Sequence, residues 1–205
     1  MTIKQFLKTG AVLLAAALLA LFLLSCAEEE PASRAPYDEE RMSDYLCPVT
    51  YKDLTVTVSE NESRGEAVWR AVLSGVTVRE YPEEQVAYYR EQIQRQYEYL
   101  ADREDMKYED LLSLRGMTEE AMLEKARDMV KSDLVFLWVA RDAGISLSEA
   151  EKSVHYDRYA DKYVERHGYD RAYVDANLRE EVYASMLFDK TMEYLILHNS
   201  LQEEA

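Results

Sequence analysis

The chain has 205 residues and a formal net charge of -16, from 24 Lys+Arg against 40 Asp+Glu, so one ordinary domain with a tail fits and two full domains do not. The acid excess excludes a phosphate-backbone partner, because nucleic-acid binders present a basic face. With 6 Gly and 4 Pro the chain lacks the turn formers of collagen-like or hairpin-rich β folds, while 48% apolar residues suffice for a core.

Lys4 and Lys8 precede an uncharged apolar run from Gly10 to Leu24, which ends Leu23-Leu24-Ser25-Cys26. The run has signal-peptide length and is short of the roughly 20 residues of a membrane span. Its end resembles the lipobox of bacterial lipoproteins, in which the cysteine is lipidated and the chain is cut just before it. The resemblance implies a signal peptide at 1–25, a lipid on Cys26 and an extracytoplasmic location on the membrane. Losing Lys4 and Lys8 with the signal takes the charge to -18. From Cys26 to Asp44 acids crowd around Pro31 and Pro36, opposed only by Arg34 and Arg41. This composition predicts a disordered acidic tether over 26–46. Cys47 then has no intramolecular disulfide partner.

Leu54, Val56 and Val58 alternate with Asp53, Thr55 and Thr57, which predicts a strand over 51–58. The only other β-branched run, Val76-Thr77-Val78, is its expected ribbon partner. Helical signals follow. A short helix spans 64–74 and stops at Gly75, and the next starts at Pro82 with Val86, Tyr89, Ile93, Tyr97 and Leu100 on one stripe. A helical piece over 108–114 ends at Gly116. Thr118 caps a helix running to Ala143, and Gly144 fits its left-handed exit. Ser148 and Glu151 have capping-box spacing and open a helix ended by Gly168. A short turn over 170–176 leads to a last helix over 178–199. The expected class is all-α: an elongated helical body with long antiparallel helical arms and at most one short β-ribbon near the start.

Chemistry is sparse. His155, His167 and His198 have no metal-ligand spacing, and Glu151 with His155 reads as a solvated pair. No phosphate loop, nucleophile elbow or Cys/His arrangement is present. Neither catalytic residue, metal nor cofactor is expected.

Glu66 to Pro82, a helix leading through Val76-Thr77-Val78 to Tyr81-Pro82, resembles the approach to the C-terminal domain of trigger factor. Gly116-Met117-Thr118-Glu119-Glu120 and Gly144-Ile145-Ser146-Leu147-Ser148-Glu149-Ala150-Glu151 are similar to two of that domain's turns, and Met186 to Leu195 to its closing helix. The features come in family order over about 140 residues. The resemblance implies a SurA-like, peptide-binding chaperone domain over 64–205, with 47–63 a remnant of the family's isomerase domain too short to form that enzyme. The ribosome-binding domain is replaced by the lipid signal, so no ribosome partner is implied. The expected function is a lipid-anchored holdase, independent of ATP, that holds unfolded or partly folded exported proteins in a cleft between helical arms. The alternative is an adaptor lipoprotein gripping one specific envelope protein. Sixteen Tyr against four Phe and eight Met supply adaptable apolar contacts. The expected contact residues are Tyr88, Tyr89, Tyr97, Met122, Met129, Tyr156, Tyr159, Tyr163 and Met186. Tyr88 and Tyr156 lie off the main stripes and are the two expected to be most exposed.

Overall fold

A computed structural model describes Tyr37 and residues 41–204. The expected signal peptide over 1–25, the expected lipidation site Cys26 and most of the expected tether over 26–46 lie outside the described residues. The elements in chain order are α1 (Met42–Tyr45), β1 (Thr55–Val58), α2 (Arg64–Ser74), α3 (Glu83–Arg103), α4 (Tyr108–Arg115), α5 (Glu119–Asp142), α6 (Glu149–His167), α7 (Arg171–Asn177), α8 (Arg179–Leu197) and β2 (Ser200–Glu203). The fold is all-α, with one two-stranded sheet among the described residues. Two compact units divide it: residues 48–76 with 135–204, and Tyr37 and 41–47 with 77–134. Helix α5 belongs to the second as far as Leu134 and to the first from Val135.

Helix ends fall where the local chemistry puts them. Ser63 and Ser148 close capping boxes with Glu66 and Glu151, the hydroxyl accepting from the N3 amide while the carboxylate accepts from the cap amide. The Thr118 hydroxyl accepts from the Ala121 amide. Gly116 at φ 63 and Gly144 at φ 65 make left-handed exits that a side chain would strain.

In the first unit β1 packs on α2, α2 on α8, and α6 on both α7 and α8. Val56 and Val58 are buried while Thr55 and Thr57 face solvent, the alternation expected of a half-buried strand. Trp69 and Phe136 both meet the ring of Phe188, at centroid distances of 5.7 and 5.5 Å. Val68, Val72, Val135, Val139 and Leu195 are almost inaccessible to solvent, each contributing about 1.5–3 kcal/mol through burial. The strand starts later than expected because Asp53, at φ 58, breaks the extended run.

The strand's partner is a correction. Val76-Thr77-Val78 does not pair with β1; β1 runs parallel to β2, from Thr55 opposite Ser200 to Val58 opposite Glu203. Val78 instead bridges Leu46 in the second unit. A parallel pair needs a long crossover, and here helices from both units lie between the strands in sequence. Asn199 fixes the register: its side-chain oxygen accepts from the Leu54 amide at 2.8 Å, and its nitrogen donates to the Tyr51 and Leu195 carbonyls at 3.0 and 2.7 Å.

The second unit corrects the end of the tether. Residues Met42, Tyr45 and Leu46, 3%, 5% and 1% exposed, are core, and Tyr37 is buried too. The spacing 42, 45, 46 puts three apolar side chains on one helical face, a pattern that the averaged acidity of 26–46 conceals. The Arg79 amide donates to the Tyr45 carbonyl at 2.7 Å and the Cys47 amide to the Thr77 carbonyl at 3.1 Å, so residues 45–47 run paired with 77–79. Cys47 is half-buried, its sulfur accepting from Arg79 Nε at 3.3 Å.

Candidate client-binding surfaces

A tyrosine ring gains by burial, but its hydroxyl needs a partner, so tyrosines settle where apolar surface meets a polar rim. All sixteen lie among the described residues; six are buried, ten are half-buried and none is fully exposed. Aspartates anchor several of the hydroxyls. Tyr37 and Tyr89 both donate to Asp133, at 2.9 and 2.5 Å, and Tyr156 and Tyr159 to Asp175 and Asp189, at 2.8 and 2.7 Å. Tyr51 donates to Asp142.

The nine expected contact residues divide between the two units. In the second, Tyr89, Met122 and Met129 are buried, 4%, 2% and 7% exposed. The Tyr108 hydroxyl contacts the Met122 sulfur at 4.0 Å. Tyr88 and Tyr97 are half-buried, and Tyr88 meets Tyr89 edge-on at 5.3 Å. Burial holds the Tyr97 hydroxyl above its ordinary pKa and lowers that of half-buried Lys125.

In the first unit Tyr156, Tyr163 and Met186 are buried together with Ala160, Val174, Leu178 and Val182, while Tyr159, Tyr169, Tyr173 and Tyr183 flank this cluster half-buried. Arg171 ties α6 to α7, reaching Asp157 and Asp161 at 2.5 Å and Asp175 at 2.9 Å. Its hydrogen bond, followed by that of Tyr156, holds Asp175 below the usual carboxylate range. Burial, reinforced by the bond to Asp189, pushes Tyr159 up to about 12.

The exposure expected of Tyr156 is therefore corrected. Its ring lies against Tyr183 at 5.6 Å and beneath the Arg179 guanidinium at 4.9 Å, and α7 supplies its hydroxyl partner. A ring off the stripe of one helix is still core when a second helix packs on that flank. Of the nine, Tyr88, Tyr97 and Tyr159 are half-buried and the other six are buried.

Other accessible apolar groups lie outside the nine: Leu114, Val154 and Leu197 are 68%, 72% and 80% exposed. Leu197 borders an open concavity lined also by Ile145, Lys190, Glu193 and Tyr194. There Lys190 Nζ donates to the Ser146 carbonyl at 2.9 Å and to Glu151 at 2.5 Å. That bond, with those from Ser148, lowers Glu151 to about 2. Glu151 is thus part of a cap and an ion pair between helices rather than a partner of His155, and Lys190 carried no sequence signal for this role.

Among the described residues no group of three or more His, Cys, Asp or Glu is placed to hold a metal ion, and no helix is long and apolar enough to cross a membrane. The half-buried tyrosines and the exposed Leu114, Val154 and Leu197 offer amphipathic contact surface.

No curated protein and no solved structure matches the chain significantly. The family model described as bacterial trigger factor protein C-terminus matches residues 57–196, from within β1 almost to the end of α8. That family binds unfolded polypeptides, which gives the chain a chaperone-like role with client proteins as partners. Matched over more than half its length, the chain belongs to the trigger factor C-terminal family.

Proposed function

We propose that this protein is a lipid-anchored extracytoplasmic holdase that binds unfolded exported polypeptides without ATP or covalent chemistry. The observation that carries the reading is the family match over 57–196, which takes in α2 to α8. Client contact falls to the half-buried rings of Tyr88, Tyr97 and Tyr159 and to exposed Leu114, Val154 and Leu197. The buried members of the expected set, Tyr89, Met122, Met129, Tyr156, Tyr163 and Met186, shape the surfaces from beneath. The Tyr159 ring, fixed by its hydroxyl's bond to Asp189, presents apolar area at little conformational cost, which favours weak binding of many sequences. A net charge of -16 keeps such a surface from self-association and attracts basic clients. The lipid anchor rests on Leu23-Leu24-Ser25-Cys26 following a basic start and an apolar run.

The test is aggregation suppression by the purified chain, near-stoichiometric and without nucleotide, using several unrelated unfolded proteins. Protection of most of them is expected. Protection of none, with stable capture of one folded partner, overturns the reading. Cys26→Ala is expected to release the protein from membranes, and continued retention would refute the lipid anchor.

A further inference from the structure

A two-stranded sheet has two outer edges, and here they differ. The Ser200 amide donates to the Leu54 carbonyl at 2.8 Å and the Glu204 amide to the Val58 carbonyl at 3.0 Å. In a parallel ladder alternate residues face the partner, so residues 200, 202 and 204 point their backbone groups at β1. Leu201 and Glu203 therefore turn theirs outward, as Thr55 and Thr57 do on the far side of β1. The β1 edge is guarded: Arg70, held by Glu62 at 2.8 Å, reaches round to donate to the Thr57 carbonyl at 3.1 Å. Arg64 near Glu203, 3.6 Å away, engages only the side chain on the β2 edge. Among the described residues no hydrogen bond occupies the outward amides or carbonyls of Leu201 and Glu203. Leu201 sits opposite Val56 and so shares its apolar face, half-buried.

An open strand edge is a template for another strand. Its bonds are made to main chain, the one feature every unfolded polypeptide has in common, which suits a binder of many sequences. Charge selects the occupant further. Glu204 and Glu203, the latter only loosely paired with exposed Arg64, line the end of the edge, Glu60 lies just beyond β1 at the same end of the parallel sheet, and the chain as a whole is acidic. A second copy would bring like charges together; a basic segment would neutralise them.

We propose that the outer edge of β2 binds an extended segment of a client as a third strand, favouring alternating apolar and basic residues. The proposal rests on the holdase reading and names a second, backbone-directed mode of contact for it. The apolar residues of such a strand extend the face of Val56 and Leu201, and its amides and carbonyls satisfy those of residues 201 and 203.

The probe is a fluorescent ten-residue peptide of alternating Val and Lys, titrated against the full chain by anisotropy. Leu201→Pro deletes an outward amide and leaves the β1–β2 ladder its donors, so binding weakens about tenfold. Thr55→Pro, the same change on the guarded edge, leaves binding as it was. A peptide N-methylated at every second residue loses one edge of its own bonds without touching the protein's fold, and it binds about tenfold more weakly. Equal binding of the N-methylated and parent peptides overturns the proposal, as does loss with Thr55→Pro but not with Leu201→Pro. Overturning it too is a concentration-dependent dimer in sedimentation that Leu201→Pro abolishes, since a second copy then owns the edge. Wild-type chain that suppresses aggregation but ignores the probe refutes the third strand and leaves the holdase reading standing. Chain that binds the probe through Leu201 yet protects no client does the reverse.

Discussion

Met186 packs α8 into the apolar cluster it shares with α6 and α7, while Arg171 ties α6 to α7 by charge, and the structure predicts which matters more. Met186 is 3% exposed within the cluster that includes Val174, Val182 and Tyr163. Truncating a buried methionine costs about 2–5 kcal/mol. Half-buried Tyr159 and Tyr183 at the cluster's flank can relax toward the space, which puts Met186→Ala near the lower end, about 2–3 kcal/mol. Arg171 makes three short ion pairs, but the side chains of Asp157 and Asp161 are 81% and 70% exposed. Pairs so wet contribute about 0–1 kcal/mol each, and the guanidinium, 5.6 Å from the Tyr156 ring, adds about 0.5–1 kcal/mol. At about 0.3 kcal/mol per pair, the low end that suits pairs so exposed, the three pairs and the ring contact together make Arg171→Ala cost about 1.5–2 kcal/mol, and the ion-pair part of that should vanish in 1 M salt, where Met186→Ala is unchanged. Urea unfolding followed by far-UV circular dichroism gives both values, and hydrogen exchange of α7 amides localises them. An Arg171→Ala loss equal to that of Met186→Ala, or one indifferent to salt, would refute the burial argument.

Three further outcomes follow from single contacts. Asn199→Ala removes three hydrogen bonds that tie α8 to the strand, so stability should fall by about 2–4 kcal/mol, and a thermal melt within 1 °C of wild type would contradict the role of Asn199. Glu151 is lowered from its ordinary 4.5 to about 2, so its stabilisation is present above the ordinary value and lost as pH falls through that window. The acid limb of Glu151→Gln in urea midpoints between pH 5 and 2 should be correspondingly shallower, and superposable limbs would exclude the Lys190 contact. Tyr159, raised from 10.0 to about 12, favours the fold while neutral; that contribution is present below pH 10 and lost as pH rises toward 12. Tyr159→Phe should remove the part of the alkaline loss that tracks tyrosinate absorbance, and an unchanged alkaline limb would argue against the burial of its hydroxyl beside Asp189.

Much of the fold was legible because its punctuation is local. Ser148 with Glu151, Pro82, Gly116, Gly144 and Gly168 each act through groups within four residues, and the helices end at them. What stayed hidden was relational. Ser200-Leu201-Gln202-Glu203 has no β-branched residue and becomes a strand because Asn199 and β1 hold it extended. Residues 42–46 look like tether by composition and are core by spacing. The expected contact residues fared similarly: stripe membership finds rings and thioethers at helical spacing, but a stripe does not say which flank a neighbouring helix covers. Tyr156 is buried by such a neighbour, whereas Leu197, on no predicted surface, is 80% exposed.

The pairing of Leu54 with Asn199 joins residues 145 positions apart. A chain threaded out from its N-terminus presents β1 and α2 long before β2 exists, and must order or set aside residues 77–134 before the first unit can close. Closing so long a loop is entropically costly and slow. Until residues 199–204 arrive, Val56 and Val58 have helix on one flank and no neighbouring strand. The protein thus passes through a stage in which its own apolar strand has an open edge, the same need for a partner that it is proposed to meet in other polypeptides.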